Sequence, residues 1–539
     1  MKMIQAITQS HTEAGTHVPL LIQNILKGVF ERDSMVQLWI AEEVIDGEAT
    51  ERLEDKGYIC LQILLSQGYI EQSGLLKGDD HLKYKVSEYY ANRGSLVDDF
   101  LIINKDGFSN ISRMPLHLSL PAERFDCQIP NIIQMCQRLR TLLLLGECKY
   151  LVKQVPRDLF LSLNLLRTLV LSGTQVSEVP SSVGHLEDLR YFDLSGTLIR
   201  ELPGVLCDLV SLQTLKLRDC FRFIALPKGM KKLINLRHLD LDIVRQLSYM
   251  PKSMGRLVNL QTFKGFIVGT DEECAIGELC RLNNITGSFC ISCLENVLNV
   301  EEAKMADLKS KSYITKLVLR WEECINAEAE QEILECLLPH PNLSELQIQF
   351  FSGSALPSWM SDPSFTMLIN ITLYKCINCS FLPRIGNLLS LKILRIFGMD
   401  KVIDIDCMFC CNPQGSSYLL SFPSLEELII ENMSQLEKWT LIGTDDLPCL
   451  RHLSIRNCPR LVELPSMSSL YSLKYLELNS FYELEWLPDM PASLETLIIQ
   501  DCQKLQEQCR KGEGRDWPKF AHVPNIWIQH RQISPISSL

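Results

Sequence analysis

The residue types most able to do chemistry in this sequence are its cysteines and histidines. Cys290/Cys293, Cys376/Cys379 and Cys407/Cys410 each have the Cys-x-x-Cys spacing at which two thiolates can share one zinc ion. Packing explains two of these pairs better. Cys376 falls at a corner position that recurs along the chain, and Cys290 adjoins an inward-pointing strand residue, so both read as small buried side chains. Cys407-Met408-Phe409-Cys410-Cys411 lies in an insertion between repeats and reads as structural or free thiols. The 10 histidines scatter, and His238 and His452, at outward strand positions, are expected to make contacts or meet solvent rather than act as bases. Neither His-Glu-x-x-His nor Gly-x-Ser-x-Gly occurs. The expectation is a protein that is not an enzyme and has no catalytic, metal or cofactor site of its own.

What must position these side chains is a repeat. Leu166/Leu169/Leu171, Leu189/Phe192/Leu194, Leu212/Leu215/Leu217 and Leu236/Leu239/Leu241 follow Leu-x-x-Leu-x-Leu, with starts 23, 23 and 24 residues apart. The pattern resumes at Ile314/Leu317/Leu319 and runs through Leu346/Ile348, Ile371/Leu373, Leu394/Ile396, Leu428/Ile430, Leu453/Ile455 and Leu476/Leu478 to Leu497/Ile499. With a leading unit at Leu139 and degenerate ones near Leu260 and Phe289, about fifteen units are expected. The last two apolar positions of each alternate as a short strand with both side chains inward, and stacking buries what one unit alone leaves open. Three residues past the strand come Thr174, Thr197, Cys220, Cys376, Cys458 and Cys502, small side chains that suit a buried corner. Beyond them Val179-Pro180, Leu202-Pro203, Leu226-Pro227, Leu382-Pro383, Leu464-Pro465 and Leu487-Pro488 are expected to end strands. The fold class expected is an α/β solenoid, a leucine-rich-repeat horseshoe, with a small N-terminal winged-helix domain.

Composition is consistent with this. The 539 residues are 46% apolar, 22% charged and 8% aromatic, which excludes disorder. Lys plus Arg number 53 against 65 Asp plus Glu, and a net charge of −12 repels a phosphate backbone, so no nucleic-acid partner is expected. Twenty-one cysteines are too few for a disulfide-stapled secreted module. Residues 1–17 lack the apolar stretch of a secretory signal, and runs such as Leu142–Leu145 fall far short of the ~20 residues of a membrane helix. The expected location is cytoplasmic, without stable membrane insertion.

The first part of the chain lacks the repeat. Leu20–Phe30, Met35–Val44 and Gly57–Leu65 carry helical apolar spacing, and Gly68-Tyr69-Ile70 with Tyr84-Lys85-Val86 forms a candidate hairpin. Three helices and a hairpin make a winged helix. Residues 20–90 hold seven Lys or Arg against thirteen Asp or Glu, an acidity that argues for protein contact rather than DNA. The expected division is a flexible N-terminus over 1–19, the winged helix over 20–110, repeats over 111–510 and a tail over 511–539.

Several segments resemble one family. Phe30-x-x-Asp33, Leu38-Trp39-Ile40-Ala41-Glu42, Gly57-Tyr58 and Leu64-Leu65-Ser66-Gln67-Gly68-Tyr69-Ile70 resemble the winged helix that closes the NB-ARC nucleotide switch of plant intracellular disease-resistance proteins. Leu116-His117-Leu118-Ser119-Leu120 is similar to the segment leading into their repeats. Ile285-Thr286-Gly287-Ser288-Phe289-Cys290-Ile291, Leu294-Glu295-Asn296-Val297 and Leu317-Val318-Leu319-Arg320-Trp321 resemble the central repeats of the coiled-coil class, and Asp516-Trp517-Pro518-Lys519 with Ala521-His522-Val523-Pro524 the ending of cereal members. The resemblance implies a role in plant defence, with a pathogen effector, other immune receptors or host guard targets as protein partners. Members hold ADP or ATP on a G-x-x-x-x-G-K-[ST] loop, yet Gly-Lys occurs nowhere here. The position of the family's Met-His-Asp triplet reads Val86-Ser87-Glu88. The chain thus reads as an N-terminally truncated member that binds ADP or ATP only if an upstream module is supplied. The alternative is a general repeat adaptor, such as the substrate arm of a ubiquitin ligase.

Partner contact is expected on the concave, outward strand positions. These read Tyr191, Asp193, Lys216, Arg218, His238, Asp240, Gln347, Tyr374, Arg395, Phe397, His452, Arg456, Tyr475 and Glu477. Aromatic and arginine side chains are enriched where proteins bind, and the cluster expected to matter most is Tyr374, Phe397 and Tyr475.

Overall fold

The computed structural model describes residues 29–45, 47, 52–73, 83–87, 100–102, 115–121, 133, 136–145, 152–322, 327–405, 421–439 and 447–533. Two compact units divide the chain, residues 1–264 and 265–539. In the first, β1 (Val29–Glu31), β2 (Ile70–Gln72) and β3 (Lys83–Val86) form an antiparallel sheet in the order β1-β3-β2. Helices α1 (Arg32–Ala41) and α2 (Leu53–Ser66) pack with it through Met35, Val36, Trp39, Leu61, Leu64 and Tyr84. Gly57 lets the helices meet, since a Cβ there would lie 2.3 Å from Val36 Cγ1. The expected hairpin and the last two expected helices are present. Val29 and Phe30, placed at the end of a first helix by their apolar spacing, instead pair with Lys85 and Tyr84 as strand β1. The rest of that expected helix, with residues 1–19, lies outside the described residues.

The larger sheet of the first unit is parallel. Its strands lie side by side in chain order: β4 (Phe100–Ile102), β5 (His117–Pro121), β6 (Thr141–Leu145), β7 (Thr168–Val170), β8 (Tyr191–Asp193), β9 (Thr214–Lys216), β10 (His238–Asp240) and β11 (Thr262–Phe263). The second unit carries a twelve-stranded sheet of β12 (Gly265–Ile267), β13 (Gly287–Ser292), β14 (Ile314–Arg320), β15 (Glu345–Gln349), β16 (Asn370–Tyr374), β17 (Ile393–Phe397), β19 (Glu427–Glu431), β21 (His452–Arg456), β22 (Tyr475–Asn479), β23 (Thr496–Gln500), β24 (Asn525–Ile528) and β25 (Arg531–Ile533). Only β25 runs antiparallel, folding back on β24. Strands β18 (Asp404–Ile405) and β20 (Lys438–Trp439) pair separately.

Two expected boundaries move. The parallel sheet begins at Phe100, inside the span assigned to the winged helix. The segment assigned to a tail completes the second sheet through β24 and β25, because Ile526 and Ile528 continue the inward apolar row. Strand pairing divides the repeats into two sheets, the first ending at β11 and the second starting at β12, within the degenerate stretch.

The alternation read from the leucines is what the strands show. Leu346 and Ile348, Ile371 and Leu373, and Leu394 and Ile396 are fully buried, while Glu345, Gln347, Thr372, Tyr374, Arg395 and Phe397 between and beside them are partly exposed. Inward rows so covered stabilise each unit by ~1.5–3 kcal/mol per aliphatic side chain. The corner residues are buried and meet backbone: Thr174 Oγ1 donates to Leu171 O at 2.7 Å, Thr197 Oγ1 to Leu194 O at 2.7 Å, and Cys220 Sγ to Leu194 O at 3.1 Å. Replacing Thr197 by Val keeps the shape and removes one such bond; the full chain should lose about 1 kcal/mol, read as a lower urea midpoint. The prolines do something other than stop strands. Pro180 and Pro203, with φ −65 and −63, immediately precede the 3-10 turns Ser181–His185 and Gly204–Asp208. Among the described residues no helix is long and apolar enough to cross a membrane.

Candidate functional site

Pairing places the outward side chains in rows. On the first sheet one row runs His117, Thr141, Thr168, Tyr191, Thr214, His238, Thr262, and a second includes Asp193, Lys216 and Asp240. A solvated face would leave these side chains half exposed. Tyr191, Lys216, His238 and Asp240 are instead 1%, 5%, 3% and 3% exposed. What covers them is the chain's own N-terminal segment. Leu38 and Ala41 of α1 pack on Leu143, Val170 and Tyr191, and Lys216 Nζ donates to Ser34 Oγ while lying 5.8 Å from the Tyr191 ring centroid. The expectation of an open partner face is corrected for this half: Tyr191, Lys216, Arg218, His238 and Asp240 are engaged within the chain, and Asp193, partly exposed, accepts from Ser195 N.

The contact is ionic as well as apolar. Glu31 accepts from Arg218 at 2.9 Å, Glu43 from Arg167 at 2.7 Å and Arg190 at 2.8 Å, and Glu54 from Arg237 Nε and Nη2 at 2.7 and 2.6 Å. Glu54 also accepts from Gln261 at 2.8 Å and from His238 Nε2 at 3.1 Å, while the other ring nitrogen meets Thr262 at 2.9 Å. Burial alone would raise the Glu54 carboxyl, but hydrogen bonds from His238 and Arg237 and their charge outweigh it and hold it well below the usual range. Burial pushes His238 down, with the Glu54 carboxylate working in the opposite direction. Asp240 is likewise held at about 2: burial works against ionisation, and Lys264 and Arg218, at 2.8 and 2.7 Å, prevail.

Glu42 completes the set. Thr141 and Thr168 hydroxyls donate to one of its oxygens at 2.7 and 2.6 Å, and Thr141 Oγ1 lies 2.7 Å from His117 Nδ1. Burial, followed by the charge of Arg140, lowers His117 to about 4. A group neutral in the fold but protonated at its ordinary value of 6.5 in the unfolded chain costs stability as pH falls through that interval. Thermal unfolding should therefore shift downward between pH ~6.5 and ~4, and His117→Asn should reduce that slope.

The second sheet presents a more open face, on which Tyr374, Arg395, Phe397 and Arg456 are partly exposed while Ser454 and Glu477, the latter expected on the partner face, are buried. Arg320, Gln349, Tyr374, Phe397, Glu431, Arg456, Asn479 and Gln500 align in one row, Gln347, Thr372, Arg395, Ser454 and Glu477 in the next. Gln347 accepts from Gln349 at 3.1 Å, Arg395 pairs with Glu427 at 2.7 Å, and Arg456 pairs with Glu477 at 2.6 Å. The aromatic cluster read from sequence divides. Tyr374 and Phe397 lie 6.1 Å apart between ring centroids, whereas Tyr475 stacks on His452 at 4.3 Å, in another row. Phe350, missed because it follows the strand, sits 5.3 Å from Tyr374.

Cys376 and Cys379 are buried and donate to Ile348 O and Gly353 O; burial pushes the Cys379 thiol up to about 12, so both are protonated packing residues. Cys290 and Cys293 are half-buried, and Cys407, Cys410 and Cys411 lie outside the described residues. At the triplet position Val86 closes β3 opposite Ile70, Ser87 is buried with its N–H on Tyr69 O at 3.0 Å, and Glu88 is outside the described residues.

A parallel sheet with one strand per leucine-bearing repeat and a buried corner after each strand defines a leucine-rich-repeat protein. The chain is a homologue of plant disease-resistance proteins. Residues 276–399 match the R13L1/DRL21 leucine-rich-repeat family. A protein of Arabidopsis thaliana described as a disease resistance protein is 33% identical over 80% of this chain and 32% of its own length. Disease resistance protein RGA2 of Solanum bulbocastanum is 29% identical over 88% of this chain and 47% of its own. This chain thus spans less than half the length of either relative. Among solved structures, the leucine-rich-repeat protein LIC12759 of Leptospira interrogans has a TM-score of 0.47 and 20% identity, covering 71% of this chain and 90% of that one.

Proposed function

We propose that this chain acts in plant defence as the recognition portion of an intracellular immune receptor, non-enzymatic and cytoplasmic, binding a protein partner on the face of its second repeat sheet. The partner is a pathogen effector, another receptor or a host target. One observation supports the reading most: the first sheet's outward Tyr191 and Lys216 are buried under residues of the same chain, while the second sheet keeps Tyr374, Phe397 and Tyr475 partly exposed. Aromatic side chains so placed gain from a protein cover more than from water. Nucleotide control belongs to a phosphate loop that these residues do not contain, so the purified chain is expected to bind neither ADP nor ATP tightly.

The test is a two-hybrid panel of pathogen effectors and plant receptors against the full chain and its Phe397→Ala and Arg395→Glu variants. A partner lost on either variant, with unfolding unchanged, supports the reading. Partners indifferent to both, or micromolar ADP or ATP affinity, contradict it.

A further inference from the structure

Charge is uneven along the second unit. Residues 271–336 carry 14 Asp or Glu against 6 Lys or Arg, which is most of the excess in a chain of net charge −12. Two helices expose it. Helix α3 (Val300–Met305) links β13 to β14, α4 (Ala327–Cys336) links β14 to β15, and the two pack against each other. Glu301, Glu302, Glu328, Glu332 and Glu335 all reach solvent, and the one basic residue of these helices, Lys304, pairs with Glu301 at 2.9 Å. Adding the neighbours Glu278, Arg281, Asp307, Lys309 and Asp362 leaves eight carboxylates to three cations. More negative charge lies beneath α4. Glu330 is 3% exposed: one oxygen takes the Ser352 amide at 3.2 Å and its hydroxyl, and the other has no hydrogen-bond partner among the described residues. Burial pushes the Glu295 carboxyl up, and the charges of Glu322 and Glu330 add to it. Apolar side chains stand among these acids. Leu298 and Met305, 73% and 59% exposed, flank Glu302 at spacings of four and three, on one side of α3. Glu302 is fixed between them, accepting from Leu298 N at 2.9 Å while its own N–H donates to Asn299 Oδ1 at 2.9 Å.

We propose that helices α3 and α4 dock a basic segment of a partner protein, which lays an aliphatic anchor beside Leu298 and Met305. This is a second interface, beyond the strand face proposed above and independent of it. Charge selects the partner's sign: of the five exposed glutamates on the helices only Glu301 has an ion pair among the described residues, and the buried Glu330 carboxylate has none. Carboxylates held on helices are already in place, so a Lys- or Arg-bearing segment meets them at little ordering cost. The two aliphatic side chains, each more than half exposed, gain from a protein cover what water does not give them. A phosphate backbone or an anionic lipid surface is repelled by the same charge. A bare divalent ion fits less well, because among the described residues no three acidic, His or Cys side chains converge as metal ligands.

The experiment is fluorescence anisotropy of the full chain with a labelled Lys-rich peptide bearing one central Leu. Binding should weaken at least about tenfold when Glu328→Lys and Glu332→Lys are combined, severalfold in Met305→Ser, and with rising salt. All three sites are exposed, so the fold is retained. The same charge change at the exposed Glu187 and Glu201 of the first unit, Glu187→Lys with Glu201→Lys, should leave binding unchanged. An equal loss in that control means attraction to bulk charge and overturns the proposal, as does wild-type affinity in the helix variants or a Glu-rich peptide of the same design binding as tightly. Displacement by calcium chloride at an ionic strength where sodium chloride leaves the peptide bound overturns it in favour of a cation site. Peptide binding that survives Phe397→Ala supports a second surface, and binding lost on Phe397→Ala places the peptide on the strand face and overturns it.

Discussion

Replacing Glu54 by Gln should release helix α2 from the first repeat sheet. The carboxylate is 2% exposed and accepts from Arg237, His238 and Gln261, so the neutral amide leaves the Arg237 guanidinium, itself 18% exposed, without its counter-charge. Breaking a buried pair on one side costs about 3–5 kcal/mol, and the partial exposure of Arg237 puts this case near the lower figure. Amide exchange across Leu53–Ser66 should then quicken about a hundredfold. An exposed pair in the same unit is the control: Asp208 and Lys232, 2.8 Å apart, are both more than half exposed and screened by water, so Asp208→Asn should leave the exchange pattern unchanged.

The second large effect separates the two sides of one strand. Leu373 is fully buried in the inward row of β16, and Leu373→Ala should cost about 2–5 kcal/mol, seen as early unfolding in urea. Thr372, its neighbour, points outward, and Thr372→Ala should stay within ~0.5 kcal/mol. Equal losses would mean that the period-two reading of the repeat is wrong.

How much of this was legible follows from how local each signal is. The inward rows were, because Leu346/Ile348 and its counterparts repeat a spacing that only a covered strand face explains. The corners at Thr197 and Cys376 were readable for the same reason. The covering of Tyr191, Lys216 and His238 was not, since it depends on residues such as Ser34 and Glu54, 182 and 184 positions away for two of the contacts, and no periodicity links them. Charge offered a hint: an acidic segment followed by Arg167, Arg190, Arg218 and Arg237 at the strand margins of one sheet. Strands β24 and β25 escaped because the Leu-x-x-Leu-x-Leu pattern ends before them.

Acidic residues near the N-terminus cover the outward face of the first repeat sheet. A double-mutant cycle between Glu54 and Arg237, read from the opening free energy of α2 amides in the full chain, addresses this contact most directly. Direct contact predicts that Glu54→Gln and Arg237→Gln together cost less than the sum of the single changes, by about 1 kcal/mol or more. Additivity within ~0.3–0.5 kcal/mol would mean the two side chains do not meet, and the face would have to be regarded as open.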